Sequence, residues 1–146
     1  MRLTAFTDYG LRALMYLAVS SQRGAPCASV QTLADALDVS PHHLAKVAQA
    51  LSRHGFAETR RGRDGGLTLA RDPRELRVGA VVRALEPSDL APCFEDAGAC
   101  TITRGCGLRG ALARAQESFL AELDRVTLAD CVAQPRALLQ LVAHGS

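Results

Sequence analysis

Between Ser29 and Gly55 two short helical stripes are separated by a tight break, and no other feature restricts the fold of this chain as closely. Residues 29–37 put Val30, Leu33 and Leu37 on one side of a helix, and Asp38-Val39 turns the chain. Ser40-Pro41 then opens another helix. A capping hydroxyl is followed by proline at the first helical position, where its missing N–H is harmless. That helix runs to about His54, and Gly55 is suited to close it. Leu44, Val47 and Leu51 recur at helical spacing and belong inside, while His42, His43, Lys46, Gln49 and Arg53 fall on the opposite side. A helix, a tight turn and a second helix with a basic outer face make a helix-turn-helix. In that motif the second helix enters the major groove, N-terminal end first. A solvated helix face produces the same stripe, so alone it is only an electrostatic footprint.

The next segment strengthens the nucleic-acid reading. Residues 56–60 and 67–70 read as two short strands around a Gly-rich turn, residues 61–66. A hairpin after a helix-turn-helix is a wing, and its tip carries Arg60, Arg61 and Arg63. Glycines let the backbone approach a phosphate, and arginine in a minor groove reads its width. Residues 1–77 carry eleven Lys and Arg against seven Asp and Glu, whereas residues 78–146 carry six against eight. All the basic residues but Lys46 are arginines, whose planar fork suits phosphate and guanine. Ahead of this unit, residues 7–20 read as a first helix capped by Thr7 or Asp8, with Leu11, Leu14, Met15 and Ala18 on one face. We expect Ser40, Pro41, His42, His43 and Lys46 to meet bases and phosphates, with Arg12 and Arg53 at flanking phosphates.

Residues 21–28 form a polar link in which Cys27 is incidental, and residues 71–77 form another. Residues 78–86 read as a short helix stopped by Pro87, and residues 88–107 as a loop. Residues 108–126 give the longest helical pattern. Leu108, Leu112, Ala115, Phe119, Leu123 and Val126 repeat in steps of three and four, as in a coiled-coil seam. A second copy of the same helix commonly completes such a seam, giving an isologous homodimer that suits a two-fold operator. Packing on its own winged helix is the alternative. A short helix follows at residues 128–132, then Pro135 and an apolar turn at residues 138–142, and Cys131 reads as a small core residue. The expected fold is mainly α: a winged helix-turn-helix over residues 1–77, a short helix and loop over 78–107, and a dimerisation helix with a C-terminal segment over 108–146.

The loop carries Cys93, Cys100 and Cys106. Their spacing is too wide for successive turns of one helix and close enough to wrap one soft metal centre. Thiolates select iron–sulfur clusters, zinc or copper(I). Three thiolates leave a coordination position for another ligand. The chain has five cysteines, an odd number that favours a metal or redox role in a reducing compartment over a disulfide framework. The apolar run at residues 11–19 contains Arg12 and is too short to span a bilayer, so a cytoplasmic location without membrane contact is expected. A structural zinc site needs a fourth Cys or His, which the loop lacks. A cluster-free thiol switch among the same cysteines stays open. No Ser/His/Asp set, paired carboxylates or phosphate loop points to an enzyme.

Four stretches together resemble a known family. Residues 1–15, the wing at 60–67, the three-cysteine loop and residues 119–130 are similar, in that order, to the iron–sulfur winged-helix regulators that include NsrR, IscR and RirA. Residues 81–87 and Phe6-Thr7-Asp8-Tyr9-Gly10 are most similar to the nitric-oxide-responsive NsrR branch. The IscR branch places a His ligand shortly after the third cysteine, where this chain has Gly107-Leu108-Arg109. The RirA branch stays open because Cys93-Phe94-Glu95 is similar to its loop. The resemblance implies an iron–sulfur cluster, 4Fe–4S or else 2Fe–2S, on Cys93, Cys100 and Cys106. It implies a carboxylate fourth ligand from the partner subunit, at the position of Asp8. A helix cap is the other reading of Asp8, and Glu95, Asp96 or an outside ligand are other fourth donors. The implied function is a dimeric repressor that holds double-stranded operator DNA when loaded and lets go when nitric oxide attacks the cluster. An iron- or redox-sensing regulator is the alternative.

Overall fold

The computed structural model describes residues 3–62, 65–87, 90–96, 100–102 and 105–134. Its first helix, α1 (Ala5–Gln22), starts earlier than the apolar pattern indicates. Thr4, with extended backbone, is the N-cap, and its hydroxyl accepts from the Thr7 N–H at 3.3 Å. Thr7 is therefore a buried first-turn residue, and neither it nor Asp8 caps the helix. The difference has a local cause: two hydroxyl residues lie three apart, and the first of them keeps the extended backbone of a cap.

Helix α1 is the axis of the core. Ala13, Leu14, Tyr16, Leu17, Ala18 and Val19 are all buried, a wider arc than the stripe expected from the sequence. Leu11 and Met15 are only partly buried. Fully burying one leucine stabilises the fold by about 1.5–3 kcal/mol, so Leu14 and Leu17 are major contributors. Gly10 marks a close approach, since a Cβ there would sit 2.5 Å from Leu85 Cδ1.

The helix-turn-helix forms as expected. Helix α2 (Val30–Leu37) is capped by Ser29, whose hydroxyl accepts from the Thr32 N–H at 2.9 Å. Asp38 adopts the left-handed conformation (φ 52°) that turns the chain. Helix α3 (Pro41–Arg53) is capped by Ser40, which accepts from the His43 N–H at 3.2 Å. Gly55, at φ 71°, follows its end. Leu33, Leu44, Val47 and Leu51 are buried in one core with α1.

The wing is β1 (Ala57–Arg60) paired antiparallel with β2 (Gly66–Leu69), in the register Ala57↔Leu69 through Arg60↔Gly66. Phe56 is buried just ahead of β1 rather than in it. Ala28, from the link after α1, forms a bridge with Leu67. Its N–H donates to Leu67 O at 3.0 Å and its carbonyl accepts from Leu67 N at 2.8 Å. A Cβ on Gly66 would lie 2.5 Å from Ala28 O, so glycine is required there. The wing is thus bound at its base to the domain body.

Helix α4 (Val78–Leu85) buries Val78, Val81, Val82 and Leu85. Glu86 ends it, and its carboxylate accepts from the Thr4 N–H at 3.0 and 3.1 Å and from the Thr4 hydroxyl at 2.9 Å. One turn, α5 (Pro92–Glu95), lies inside the stretch expected to be loop. Helix α6 (Gly107–Asp124) follows, with Cys106 as its N-cap. Arg83 of α4 pairs with Asp124 at 2.6 Å and Glu117 at 3.3 Å, holding the far end of α6 to the domain. Gly79 permits this, because a Cβ there would collide with the Asp124 side chain. The chain then returns to the core. Leu128 N–H donates to Leu76 O at 2.8 Å, and Val78 N–H to Val126 O at 3.0 Å. The last described helix, α7 (Leu128–Cys131), begins with a capping box between Thr127 and Asp130. Leu128 and Val132 are buried, whereas Cys131 is only half-buried and does not take the core place expected of it. The apolar turn expected at residues 138–142 lies outside the described residues.

Candidate nucleic-acid interface and cysteine loop

Helix α3 presents its basic side outward. Ser40, Pro41, His42, His43, Lys46, Gln49 and Arg53 are all exposed, while Leu44, Val47 and Leu51 fix the helix from beneath. The helix contains no acidic residue, so no carboxylate opposes a phosphate along it. Its positive dipole end is capped by Ser40, one turn before His43 and under two turns before Lys46. Arg60 and Arg61 are exposed at the wing tip, and Arg63 lies outside the described residues. The turn is tight, with Gly65 N–H donating to Gly62 O at 3.0 Å. A Cβ on Gly65 would lie 2.5 Å from Arg60 O.

Two further residues join this surface. Phe6 and Tyr9 of α1, with Ala5, His43, Lys46 and Val47, line a cleft of about 220 Å³ at the foot of the recognition helix. The sequence signal for them was their spacing of three, which puts both on one side of α1. Arg12 lies elsewhere. Its Nε donates to Asp8 at 3.0 Å, and both line a separate cleft of about 550 Å³ with Leu11, Met15, Tyr16 and Leu37. Both side chains are well exposed, so the pair itself adds only about 0.3–0.5 kcal/mol.

The cysteine loop is assembled from three supports. Cys93 sits in α5, Cys100 in the connection, and Cys106 at the head of α6. All five cysteines of the chain are half-buried, and none is in a disulfide. Arg109, in the first turn of α6, donates from Nε to the carbonyl of Cys93 at 3.2 Å. Its guanidinium lies 5.2 Å from the centre of the Phe94 ring. Among the described residues, no three of His, Cys, Asp and Glu gather closely enough to hold a metal ion. The donor set nevertheless fits an iron–sulfur group in kind: three accessible thiols on one loop, with no imidazole among them to complete a zinc tetrahedron. Asp8 is turned to Arg12 of its own chain, and the side chain of residue 95 lies outside the description. Cys131 is different in character, since burial and the neighbouring Asp130 push its thiol pKa up.

Comparison with known proteins decides the family. The model of the Rrf2 family, described as iron-dependent transcriptional regulators, matches residues 3–134. The chain belongs to the Rrf2 family. Its fold is similar to that of T. potens IscR, with a TM-score of 0.72 and 25% identity, over 94% of this chain and 90% of that one. A transcriptional regulator of Listeria innocua matches with a TM-score of 0.71 and 27% identity, over 92% and 88%. CymR (YrzC), the global cysteine regulator of B. subtilis, matches with a TM-score of 0.70 and 25% identity, over 91% and 97%. Rrf2 proteins are transcriptional regulators that bind DNA, not enzymes, and some of them carry iron–sulfur clusters. Among the described residues of this Rrf2 chain, no helix is long and apolar enough to cross a membrane.

Proposed function

We propose that this Rrf2 regulator is a homodimeric repressor whose grip on operator DNA is set by an iron–sulfur cluster, with nitric oxide as the effector. The observation that carries the reading is the position of the three-thiol loop. It begins at Glu86, which is bonded to the head of α1, and ends at Cys106, which starts α6. A change in the loop is therefore felt by the helix that packs beneath the recognition helix and by the helix with the dimer seam. Cys93, Cys100 and Cys106 would hold the cluster, and Asp8 of the partner would supply the fourth donor. When bound, such a cluster supplies an iron with one oxygen ligand in place of sulfur, a position open to a small molecule such as nitric oxide. Asp8 then ties the α1 of one subunit to the loop of the other and sets the relative pose of the two recognition helices. A two-state element of this kind, with different DNA affinity in each state, is what allostery requires.

On the DNA, α3 enters the major groove with Ser40, His42, His43 and Lys46 foremost, and Arg60, Arg61 and Arg63 place the wing. Titrating the anaerobically prepared protein with nitric oxide, while following visible absorbance and operator binding together, tests the reading. Affinity is expected to fall in step with the cluster absorbance, and Cys100→Ala to abolish both signals. A cluster that reacts while operator affinity stays constant overturns the switch.

A further inference from the structure

Arg109 occupies an unfavourable place. It stands in the first turn of α6, where the helix dipole repels a cation, and that turn has neither an acidic residue nor a side-chain cap. Its position is explained by what it reaches. The guanidinium is half-buried, donates to the Cys93 carbonyl at 3.2 Å and lies over the Phe94 ring at 5.2 Å. Three residues before Arg109, on the same turn, is Cys106. The one side chain thus joins α5, which carries the first cysteine, to the turn that carries the third, across sixteen residues of chain.

We infer that Arg109 is a latch that closes the cysteine loop before any metal binds, a positioning residue for the Cys93–Cys106 pair. A free loop must lose closure entropy each time its ends meet, whereas a latched one has already lost it. The planar fork suits the task, because Nε is committed to the carbonyl while the guanidinium face lies on the ring. The inference takes from the proposed function only the choice of residues that must be brought together, and its test needs no iron.

The experiment uses the full chain with Cys100→Ser, in which glutathione of known ratio equilibrates Cys93 and Cys106 between dithiol and disulfide. Two thiols give one S–S bond, and oxidised glutathione is reduced to two molecules of the thiol. Peptide mapping reads the Cys93–Cys106 disulfide, and the glutathione ratio at half-oxidation gives the effective concentration of one thiol toward the other. Arg109→Ala is expected to lower that concentration about tenfold, the size of one hydrogen bond from a charged donor. Arg109→Lys, which keeps a cation and a donor, is expected to retain most of it. If Arg109→Ala unfolds, Phe94→Leu is expected to lower the value by a smaller factor, about threefold. Values equal to the parent in Arg109→Ala, or in Phe94→Leu when that variant is the one read, overturn the latch. So does Arg109→Lys falling as far as Arg109→Ala. Cobalt(II) titration of the reduced parent separates the two proposals: absence of thiolate-to-cobalt absorption counts against the metal site and leaves the glutathione result standing.

Discussion

Arg61 is the residue at which the DNA reading is most directly measurable. It is exposed at the wing tip beside Arg60, on a turn whose glycines admit close approach to a phosphate backbone. Neutralising one contacted phosphate releases counterions, and each such contact contributes about −0.9 to the slope of log K against log salt. Arg61→Ala is therefore expected to weaken operator binding and to make the slope shallower by about that amount in each subunit. Binding measured across a salt series gives the answer, and an unchanged slope removes Arg61 from the phosphate contacts. Lys46 differs. It lines a cleft on the recognition helix together with Phe6 and Tyr9. The exposure of Lys46 was legible in the sequence because charge and exposure go together on a two-faced helix. The partner of Arg12 was not. An arginine near a helix start reads equally well as a phosphate contact, and only the structure puts its Nε on Asp8.

At the scale of elements, local chemistry made α2, the turn and α3 readable, since Ser29, Asp38, Ser40 and Gly55 each act within four residues of chain. Elements fixed by distant partners were not readable. Helix α5 is a single turn, too short for periodicity, and its visible support is Arg109, sixteen residues away. The bridge between Ala28 and Leu67 is made by backbone groups, which leave no pattern in side chains. The return of the chain after α6 was only partly legible. Its capping box holds the start of α7: Asp130 accepts from the Thr127 N–H at 2.8 Å and the hydroxyl at 2.6 Å. Those two hydrogen bonds from Thr127, side chain first, hold the Asp130 carboxyl below the ordinary aspartate range. A depressed folded-state pKa gives stability that is present above the unfolded value, near 3.9, and lost as pH falls through the folded one. Asp130→Asn is thus expected to lower the urea midpoint at pH 6, and the gap from the parent is expected to close as the solution is acidified below about pH 4. A gap that stays constant with pH would remove the carboxylate charge from the account. Thr127→Ala is expected to cost about 1 kcal/mol by the same denaturation.

The whole molecule turns on α6. Its 18 residues make a helix about 27 Å long at 1.5 Å per residue, yet none of them is buried within the chain. Arg83 of α4 ties its second half to the domain through Glu117 and Asp124. Leu112, Phe119 and Leu123 are half-buried, and Leu108 is 67% exposed. Helices in water owe most of their stability to packing of an apolar face, and the domain leaves much of this one uncovered. In the proposed homodimer a second copy, presenting the same face by two-fold rotation, covers this surface. Replacing Leu108 and Leu112 together by Asp puts four charges into such a seam, two from each copy. The expected outcome is a chain that sediments as a monomer and keeps its folded core. Operator affinity should then fall far more for a two-fold site than for a single half-site. Sedimentation equilibrium decides the first point and titration of whole and half operators the second. A variant that still sediments as the parent assembly would move the dimer contact off α6, and with it the argument that the cysteine loop sits at the junction of the two subunits.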